Sequence, residues 1–201
     1  MKVYKIYPKG FASNSYILTA DDINAVVIDC AQPRVLEECK KLNLTPKYVL
    51  LTHGHFDHVG GIAAFCSAGA KICCAKEEES FLFSSGSFCR EYGVDLSNVK
   101  IYKTFSNGEK INLCGIDFTV LSTPGHTEGS VCYIAEDKIF SGDTLFCESV
   151  GRCDLPTGSY SKLVQSIKKL YELKGDYKVY CGHEDDTTLE HERNFNPYIR
   201  K

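Results

Sequence analysis

The chain has 201 residues, of which 43% are hydrophobic and 24% are charged, and this balance fits one ordinary globular domain. A formal charge of -3 gives no sign of a nucleic-acid partner or of an anionic membrane surface. No stretch approaches the roughly 18 apolar residues that span a bilayer, and the amino terminus lacks the apolar core of a signal peptide. We therefore expect a single domain over residues 1–201, located in the cytoplasm, with neither nucleic acid nor membrane among its partners.

The first half of the chain predicts strands and helices in mixed order. Three strands of an antiparallel meander come first, with a turn at Asp21 and Asp22. A helix opened by Pro33 follows, then a buried strand, a helix of small apolar residues and a short strand. The predicted bounds are 2–6, 15–19, 25–29, 33–42, 47–52, 59–67 and 71–74.

Residues 76–98 have two interpretations. A helical turn begins at Lys76, and apolar side chains at 81–83 and at Phe88 then occur among serines. Such a weakly periodic apolar segment is either a lid over a site or a surface excursion with its own small cluster. The sequence alone leaves both interpretations open.

The second half is predicted to be mainly strands, with one long loop and an amphipathic helix. The strands are predicted at 100–104, 109–113, 116–122, 130–135, 138–143 and 178–183. The loop covers 144–158, the amphipathic helix covers 160–172, and a last helix covers 186–194.

Eleven cysteines are many for this length, but their number is odd and no pair has the C-x-x-C spacing. Several lie in apolar, strand-like settings, such as Cys30, Cys132 and Cys181. We interpret them as free thiols that act as small buried hydrophobes in a reducing compartment. A disulfide framework or a structural zinc site is the alternative.

The stretch after the strand at 47–52 carries the strongest chemical signal. His53, His55, Asp57 and His58 occur within six residues, and two glycines follow at 60–61. On extended backbone His53 and His55 point the same way, whereas Asp57 and His58 come after the chain has bent. Imidazole and carboxylate are ligands for zinc, iron or manganese, so the stretch predicts metal binding, with a surface histidine cluster as the alternative.

Three further strands end in residues of the same kind. His126, Asp143 and His183 each follow a predicted strand and lie next to a glycine. Loops at strand ends are where sites are commonly built, and seven ligands are too many for one tetrahedral ion but suit two ions that share a bridge. Two divalent ions carry +4; Asp57 and Asp143 reduce this to +2 and a bridging hydroxide to +1. The cleft should therefore favour an anionic or carbonyl-bearing substrate.

The segment from His53 to His58 resembles the H-x-H-x-D-H signature of the metallo-β-lactamase superfamily, and the three later residues match its remaining ligands in order. The resemblance covers nearly the whole chain. It implies an α/β fold, the four-layer αββα sandwich, with the metal site at one edge between two sheets. It also implies roles. The first metal would be held by His53, His55 and His126, the second by Asp57, His58 and His183, and Asp143 would bridge the two.

Within the superfamily the chain is most similar to glyoxalase II and its short single-domain relatives. The matching segments begin at Thr123, Ser141, Gly151 and Gly182. The resemblance extends to the hydrolytic centre but not to glutathione recognition. Glyoxalase II proper has a C-terminal helical domain that supplies much of its glutathione site, and only eighteen residues follow His183 here. Many true β-lactamases differ by a cysteine ligand and by lacking the histidine that matches His58.

The resemblance implies a binuclear-metal hydrolase of thioesters or related esters, of the hydroxyacylglutathione hydrolase type. A hydroxide bridging two divalent ions, zinc first with iron or manganese possible, would attack the carbonyl carbon. One alternative is a mono-iron persulfide dioxygenase, which shares the signature and holds its iron with the residues matching His53, His126 and Asp143. A metal-binding protein with little catalysis is the third hypothesis.

Other residues have paired interpretations. Asp57 is expected to be a ligand and, in addition, to orient or deprotonate the attacking water. Arg152 either binds a substrate carboxylate or ties down its own loop through Asp154. Thr127 and Glu128 either support the ligand histidines or cap a turn. We expect His191, Glu192 and Arg193 to lie outside the site.

Overall fold

The computed structural model describes residues 1–199 and confirms the αββα sandwich. In chain order the strands of the first half are β1 Lys2–Ile6, β2 Ser15–Thr19, β3 Asn24–Ile28, β4 Thr45–Leu50, β5 Lys71–Ala75 and β6 Ile101–Phe105. Those of the second half are β7 Lys110–Leu113, β8 Ile116–Ser122, β9 Val131–Ala135, β10 Lys138–Gly142, β11 Leu145–Phe146, β12 Ser149–Val150, β13 Lys178–Cys181 and β14 Thr187–Thr188. The helices are α1 Arg34–Lys41, α2 Phe56–Val59, α3 Ile62–Ser67, α4 Lys76–Leu82, α5 Tyr160–Tyr171 and α6 Leu189–Phe195.

Two six-stranded sheets form the centre. The first has the order β1-β2-β3-β4-β5-β6. Neighbours among β1, β2 and β3 pair antiparallel, and neighbours from β3 to β6 pair parallel. The second has the order β14-β13-β10-β9-β8-β7 and is antiparallel except for the β10–β13 pair. The predicted amino-terminal meander is therefore correct.

Burial explains why the strands read as continuous apolar runs. Every residue of β2 is buried, because Tyr16 and Leu18 face the second sheet while Ile17 faces the helices on the outer side. On the second sheet, Tyr133 of β9 faces inward and Cys132 packs against α5. A sheet covered on both faces needs apolar side chains at both alternating positions.

The helix predicted over 59–67 begins only at Ile62, and a separate turn, α2, precedes it, because Gly60 and Gly61 lie against the loop that follows β3. A Cβ atom on Gly60 would lie 2.5 Å from the carbonyl oxygen of Ala31, and one on Gly61 would lie 2.6 Å from the carbonyl carbon of Gln32. The Gly61 N–H also donates to the Cys30 carbonyl at 2.7 Å. The interruption leaves α2 as a separate turn that carries Asp57 and His58.

Two other expectations needed correction. The loop predicted over 144–158 contains the small hairpin of β11 and β12. The helix predicted from residue 186 begins instead at Leu189, because Thr187 pairs with Val179 as an edge strand and the Thr188 side chain accepts from the His191 N–H at the helix start.

All eleven cysteines are free, as expected. Within residues 1–199, no helix has both the length and the apolar character that crossing a membrane requires.

Candidate metal centre

The seven predicted ligands come from loops at one edge of the sandwich, where both sheets end. Backbone hydrogen bonds hold these loops together. The Val131 N–H donates to the Thr52 carbonyl at 3.0 Å, and the Gly182 N–H donates to the Gly142 carbonyl at 2.9 Å. Residues separated by up to 130 positions in the sequence therefore meet in one place.

His53, His55 and His126 form the first group. His126 Nε2 lies 3.2 Å from His53 Nε2 and 2.9 Å from His55 Nδ1, and all three rings are buried. Burial, together with the neighbouring histidines, lowers the pKa of His55 to about 3 and the pKa of His53 well below its ordinary value. Neutral imidazole is the form that binds a metal ion.

Asp57, His58 and His183 form the second group. His183 Nε2 lies 3.1 Å from Asp57 Oδ2, and His58 Nε2 lies 3.9 Å from the same oxygen. Burial opposes protonation of His58, but the charges of Asp143 and Asp29 outweigh it and raise the pKa of His58 well above its ordinary value. This group therefore attracts positive charge, either a proton or a metal ion.

Asp143 lies between the two groups. Its Oδ1 is 3.1 Å from His58 Nε2, and its Oδ2 is 3.5 Å from both His126 Nε2 and His183 Nε2. Burial would raise the pKa of this carboxyl, but His58 and His126 hold it well below its usual range. An anionic carboxylate whose Oδ1 lies near the second group and whose Oδ2 lies near both groups has the placement expected of a bridge.

Three protein contacts fix which ring nitrogen carries the hydrogen. His58 Nδ1 donates to Asp29 Oδ2 at 2.7 Å, and His126 Nδ1 donates to the Arg152 carbonyl at 2.7 Å. The Thr52 hydroxyl donates to Asp29 and therefore accepts from His53 Nδ1, which is 3.1 Å away. When the three rings are neutral, these contacts leave the Nε2 lone pair facing the centre, as in metal-binding histidines.

The centre contains buried polar atoms whose hydrogen-bonding capacity is unused. His58 Nε2 and Asp143 Oδ1 have no hydrogen-bond partner, and the two atoms are close but poorly oriented toward each other. His55 Nε2 is unpaired as well, but it is Nδ1 of that ring that faces His126. The lone pairs of His53 Nε2 and His126 Nε2 also face each other at 3.2 Å. Each such group costs about 1–3 kcal/mol when left unpaired. A pair of divalent cations placed among these atoms would remove that cost, so the residues fit the group.

Glu78 was not singled out from the sequence, where it lies in a run of glutamates that reads as a solvated helical turn. Its side chain is 1% exposed and accepts from the Gly54 N–H at 2.8 Å and from the Thr127 hydroxyl at 2.9 Å. It therefore links the His53–His55 loop to the residue after His126. Burial raises the pKa of Glu78 to about 7, although these hydrogen bonds oppose the shift.

The residues with paired interpretations can now be placed. Thr127 supports the centre through Glu78, whereas Glu128 pairs with Lys162 at the surface. Both Nε and Nη2 of Arg152 donate to the Asp154 carboxylate at 2.8 Å, in the contact expected of a residue that ties down its loop. The Arg152 side chain nevertheless lines the cleft.

The three residues expected to lie elsewhere form no part of this centre. Glu192 is buried and accepts from the Thr187 hydroxyl. Arg193 donates to the carbonyl of Tyr171, the last residue of α5, and to that of Gly175 beyond it. His191 Nε2 lies 3.0 Å from Glu148 Oε1.

A cleft of about 900 Å³ opens over the centre. Asp57, His126, Asp143 and His183 form its floor, and Phe88 and Tyr92 of the 76–98 segment form part of one wall. The same segment also packs Leu82 and Cys89 into the cluster under the first helix layer. Residues 76–98 are thus anchored as a surface excursion and border the site as well.

Comparisons with known proteins agree with this geometry. A family model described as the metallo-beta-lactamase superfamily matches residues 8–183. A Haemophilus influenzae protein named hydroxyacylglutathione hydrolase GloC is 34% identical in an alignment of 208 positions. The alignment covers 99% of this chain and 98% of that protein.

Two solved structures are similar over the whole chain. One, titled BLEG-1 B3 metallo-beta-lactamase, has a TM-score of 0.86 at 32% identity and covers 100% of both chains. The other, TTHA1623 in a di-iron-bound form, has a TM-score of 0.85 at 30% identity and covers 98% of this chain and 100% of that one.

Proposed function

Because this chain belongs to the metallo-β-lactamase superfamily, we propose that it is a binuclear-metal hydrolase that cleaves thioesters, of the hydroxyacylglutathione hydrolase type. The observation that carries the proposal is the position of Asp143 between two groups of three ligand-type residues. A mono-iron enzyme would use His53, His126 and Asp143 alone and would leave the group of Asp57, His58 and His183 without an ion.

We assign the ligands by these groups. His53, His55 and His126 would hold one ion, Asp57, His58 and His183 the other, and Asp143 both. Zinc is the proposed metal, and iron or manganese remain candidates because nitrogen and oxygen donors of this kind accept all three. The di-iron form of the similar protein TTHA1623 supports iron as a candidate.

When bound, the two ions would supply a Lewis acid for the thioester carbonyl and an activated water. The chain itself supplies the proton acceptor. In the metal-free chain burial opposes ionisation of Asp57, but the charge of His58 and a hydrogen bond from His183 outweigh it and lower the pKa of that carboxyl. A cation held by His58 and His183 would favour the anionic form in the same way. An anionic Asp57 at the floor of the cleft is placed to orient the water and accept its proton. A thiolate leaves without a dedicated acid, since a free thiol has a pKa of about 8.5.

Eleven free cysteines support a reducing setting, and we propose the cytoplasm as the location. The partly exposed thiols, those of Cys66, Cys114, Cys147 and Cys153, would be oxidised or paired in an oxidising compartment.

The test combines elemental analysis of purified protein with a substrate panel that contains S-lactoylglutathione, a neutral thioester, a β-lactam and a phosphoester. We expect two metal equivalents and turnover of thioesters above all other members. The β-lactam belongs in the panel because one similar structure carries that name. One iron with oxygen uptake on glutathione persulfide would instead identify a sulfur dioxygenase. Metal-replete protein that turns over nothing would indicate a metal-binding protein.

A further inference from the structure

Aromatic side chains line the cleft. Phe11, from the loop between β1 and β2, lies with Phe56, Phe88 and Tyr92 among the lining residues, and we call these four side chains the aromatic wall. Phe11 is 85% exposed and Tyr92 is 60% exposed. Exposed rings that border a cleft do little for the core, and large apolar surfaces of this kind commonly mark a binding site.

The aromatic wall is held in place by local structure. The rings of Phe56 and Tyr92 stack at 3.6 Å with an interplanar angle of 7°. Phe88 has a φ of +57°, a left-handed conformation that is unfavourable for a bulky residue. In that conformation its ring lies 6.2 Å from the ring of His55. Backbone strain that places an aromatic ring beside a site is typical of a functional position.

The cleft offers little to a carboxylate outside the metal centre. Among the described residues that line it, the charged side chains beyond the floor are Arg152 and Glu184. The Arg152 guanidinium is already paired with Asp154 through both carboxylate oxygens. Lys9 and Arg90 lie on the same loops as the aromatic wall but do not line the cleft. Glutathione, with its two carboxylates, would find no unpaired cation among the lining residues.

We propose that the aromatic wall binds an uncharged, apolar substituent next to the scissile thioester, so that the preferred substrates are thioesters with an aromatic or branched aliphatic group. This proposal rests on the proposed function. The substituent belongs either to the acyl group or to the thiol, and the same contacts would recognise both. The carboxylates of a glutathione carrier would add little to binding.

The test compares kcat/KM for four thioesters. Acetyl-N-acetylcysteamine is the small neutral reference, and S-acetylglutathione adds the charged carrier. Phenylacetyl-N-acetylcysteamine adds an aromatic acyl group, and S-benzyl thioacetate adds an aromatic thiol. We expect at least one aromatic substrate to exceed the reference by about ten- to hundredfold, as burial of a phenyl ring allows, and S-acetylglutathione to remain within about threefold of it. The better aromatic substrate identifies the side that meets the wall.

The variant Phe11→Ala should lower kcat/KM for that aromatic substrate about five- to tenfold more than it lowers kcat/KM for the reference, because only the aromatic substrate carries the ring that contacts the wall. Phe195→Ala is the matched control, since Phe195 is 64% exposed and does not line the cleft. The proposal is overturned if S-acetylglutathione is the best substrate, or if Phe11→Ala and Phe195→Ala have the same effect on the aromatic-to-reference ratio.

A binding measurement separates this proposal from the proposed function. The thioether S-benzyl-N-acetylcysteamine cannot be hydrolysed, and calorimetry should show at least fivefold weaker binding to Phe11→Ala than to the wild-type chain. Equal binding would contradict the aromatic wall even if thioesters are turned over. Weaker binding together with no thioester turnover would support the wall and refute the thioesterase.

Discussion

Within residues 1–199, the metal centre and a cluster formed by Cys147, His191 and Glu192 both have the composition of a metal site, and they differ in how their lone pairs are used. In the metal centre, His58 Nε2 and Asp143 Oδ1 are buried without a partner. In the cluster of Cys147, His191 and Glu192, which we call the Cys147 cluster, the ligand atoms also lie within 4.8 Å of one another.

In the Cys147 cluster, protein contacts already use the hydrogen-bonding atoms of Glu192 and His191. Glu192 accepts from the Thr187 hydroxyl at 2.6 Å and from the Asn196 amide at 2.9 Å, and His191 lies against Glu148. A metal ion there would have to displace hydrogen bonds that hold α6 in place. Proximity of histidine, cysteine and carboxylate is therefore a weaker sign of a metal site than buried acceptors with nothing to accept.

The change with the largest expected effect is Asp143→Ala. Without the shared carboxylate both ions should be lost, and turnover should fall by on the order of a thousandfold or more. Elemental analysis after dialysis and thioester kinetics measure the two effects, and circular dichroism checks the fold. Full retention of two metal equivalents would refute the bridging position.

Glu78→Gln should change how stability depends on pH. The pKa of Glu78 is raised from 4.5 to about 7, so its contribution is fully present below about pH 4.5 and is lost as the pH rises through about 7. The loss is at most about 3 kcal/mol. Urea unfolding of metal-free protein at pH 5 and pH 8 should show a smaller difference in the variant than in the wild-type chain.

Glu79→Gln is the matched control, because Glu79 lies on the same helix and is exposed. Identical pH profiles for the two variants would mean that the buried carboxyl does not titrate in this range.

Asp29→Asn should weaken metal binding by about ten- to a hundredfold, because a neutral amide replaces the charged carboxylate that accepts from His58 Nδ1 and orients that ring. Competition with a chromogenic chelator measures this affinity. Asp22→Asn is a close control, since Asp22 is exposed and also has a left-handed backbone, with φ of +59° against +54° for Asp29. Equal affinities in the two variants would show that Asp29 does not support the site.

The smallest effect is expected from His191→Ala. Metal content should stay at the wild-type value and kcat/KM should change by less than about twofold, since the Cys147 cluster makes hydrogen bonds within the protein and we expect it to bind no ion. Loss of one metal equivalent in this variant would mean that the Cys147 cluster does bind an ion. Unpaired buried acceptors would then not distinguish the metal centre from this cluster.

Much of the architecture could be predicted because both sheets are covered on both faces. Fully buried strands such as β2 read as apolar runs, and His126, Asp143 and His183 stand out because each ends such a run beside a glycine. The strands β11, β12 and β14 could not be predicted, since each has two residues and exists only through pairing with a partner. Local sequence carries no record of such pairing.

The supporting residues were missed for a similar reason. Glu78 sits between two other glutamates, and only the tertiary fold shows that its side chain turns inward. Asp29 was counted as the last residue of a strand, although a carboxylate at the end of a buried strand is the same signal that identified Asp143. Treating every acidic strand end as a candidate would have found Asp29 but not Glu78.

The central claim is that two groups of side chains share one carboxylate and hold a pair of metal ions. Anomalous scattering from crystals of metal-loaded protein, collected at the absorption edge of the bound metal, tests it most directly. We predict two peaks, one against His53, His55 and His126 and one against Asp57, His58 and His183, with Asp143 touching both. A single peak, or a peak at Cys147 and His191 instead, would contradict the account.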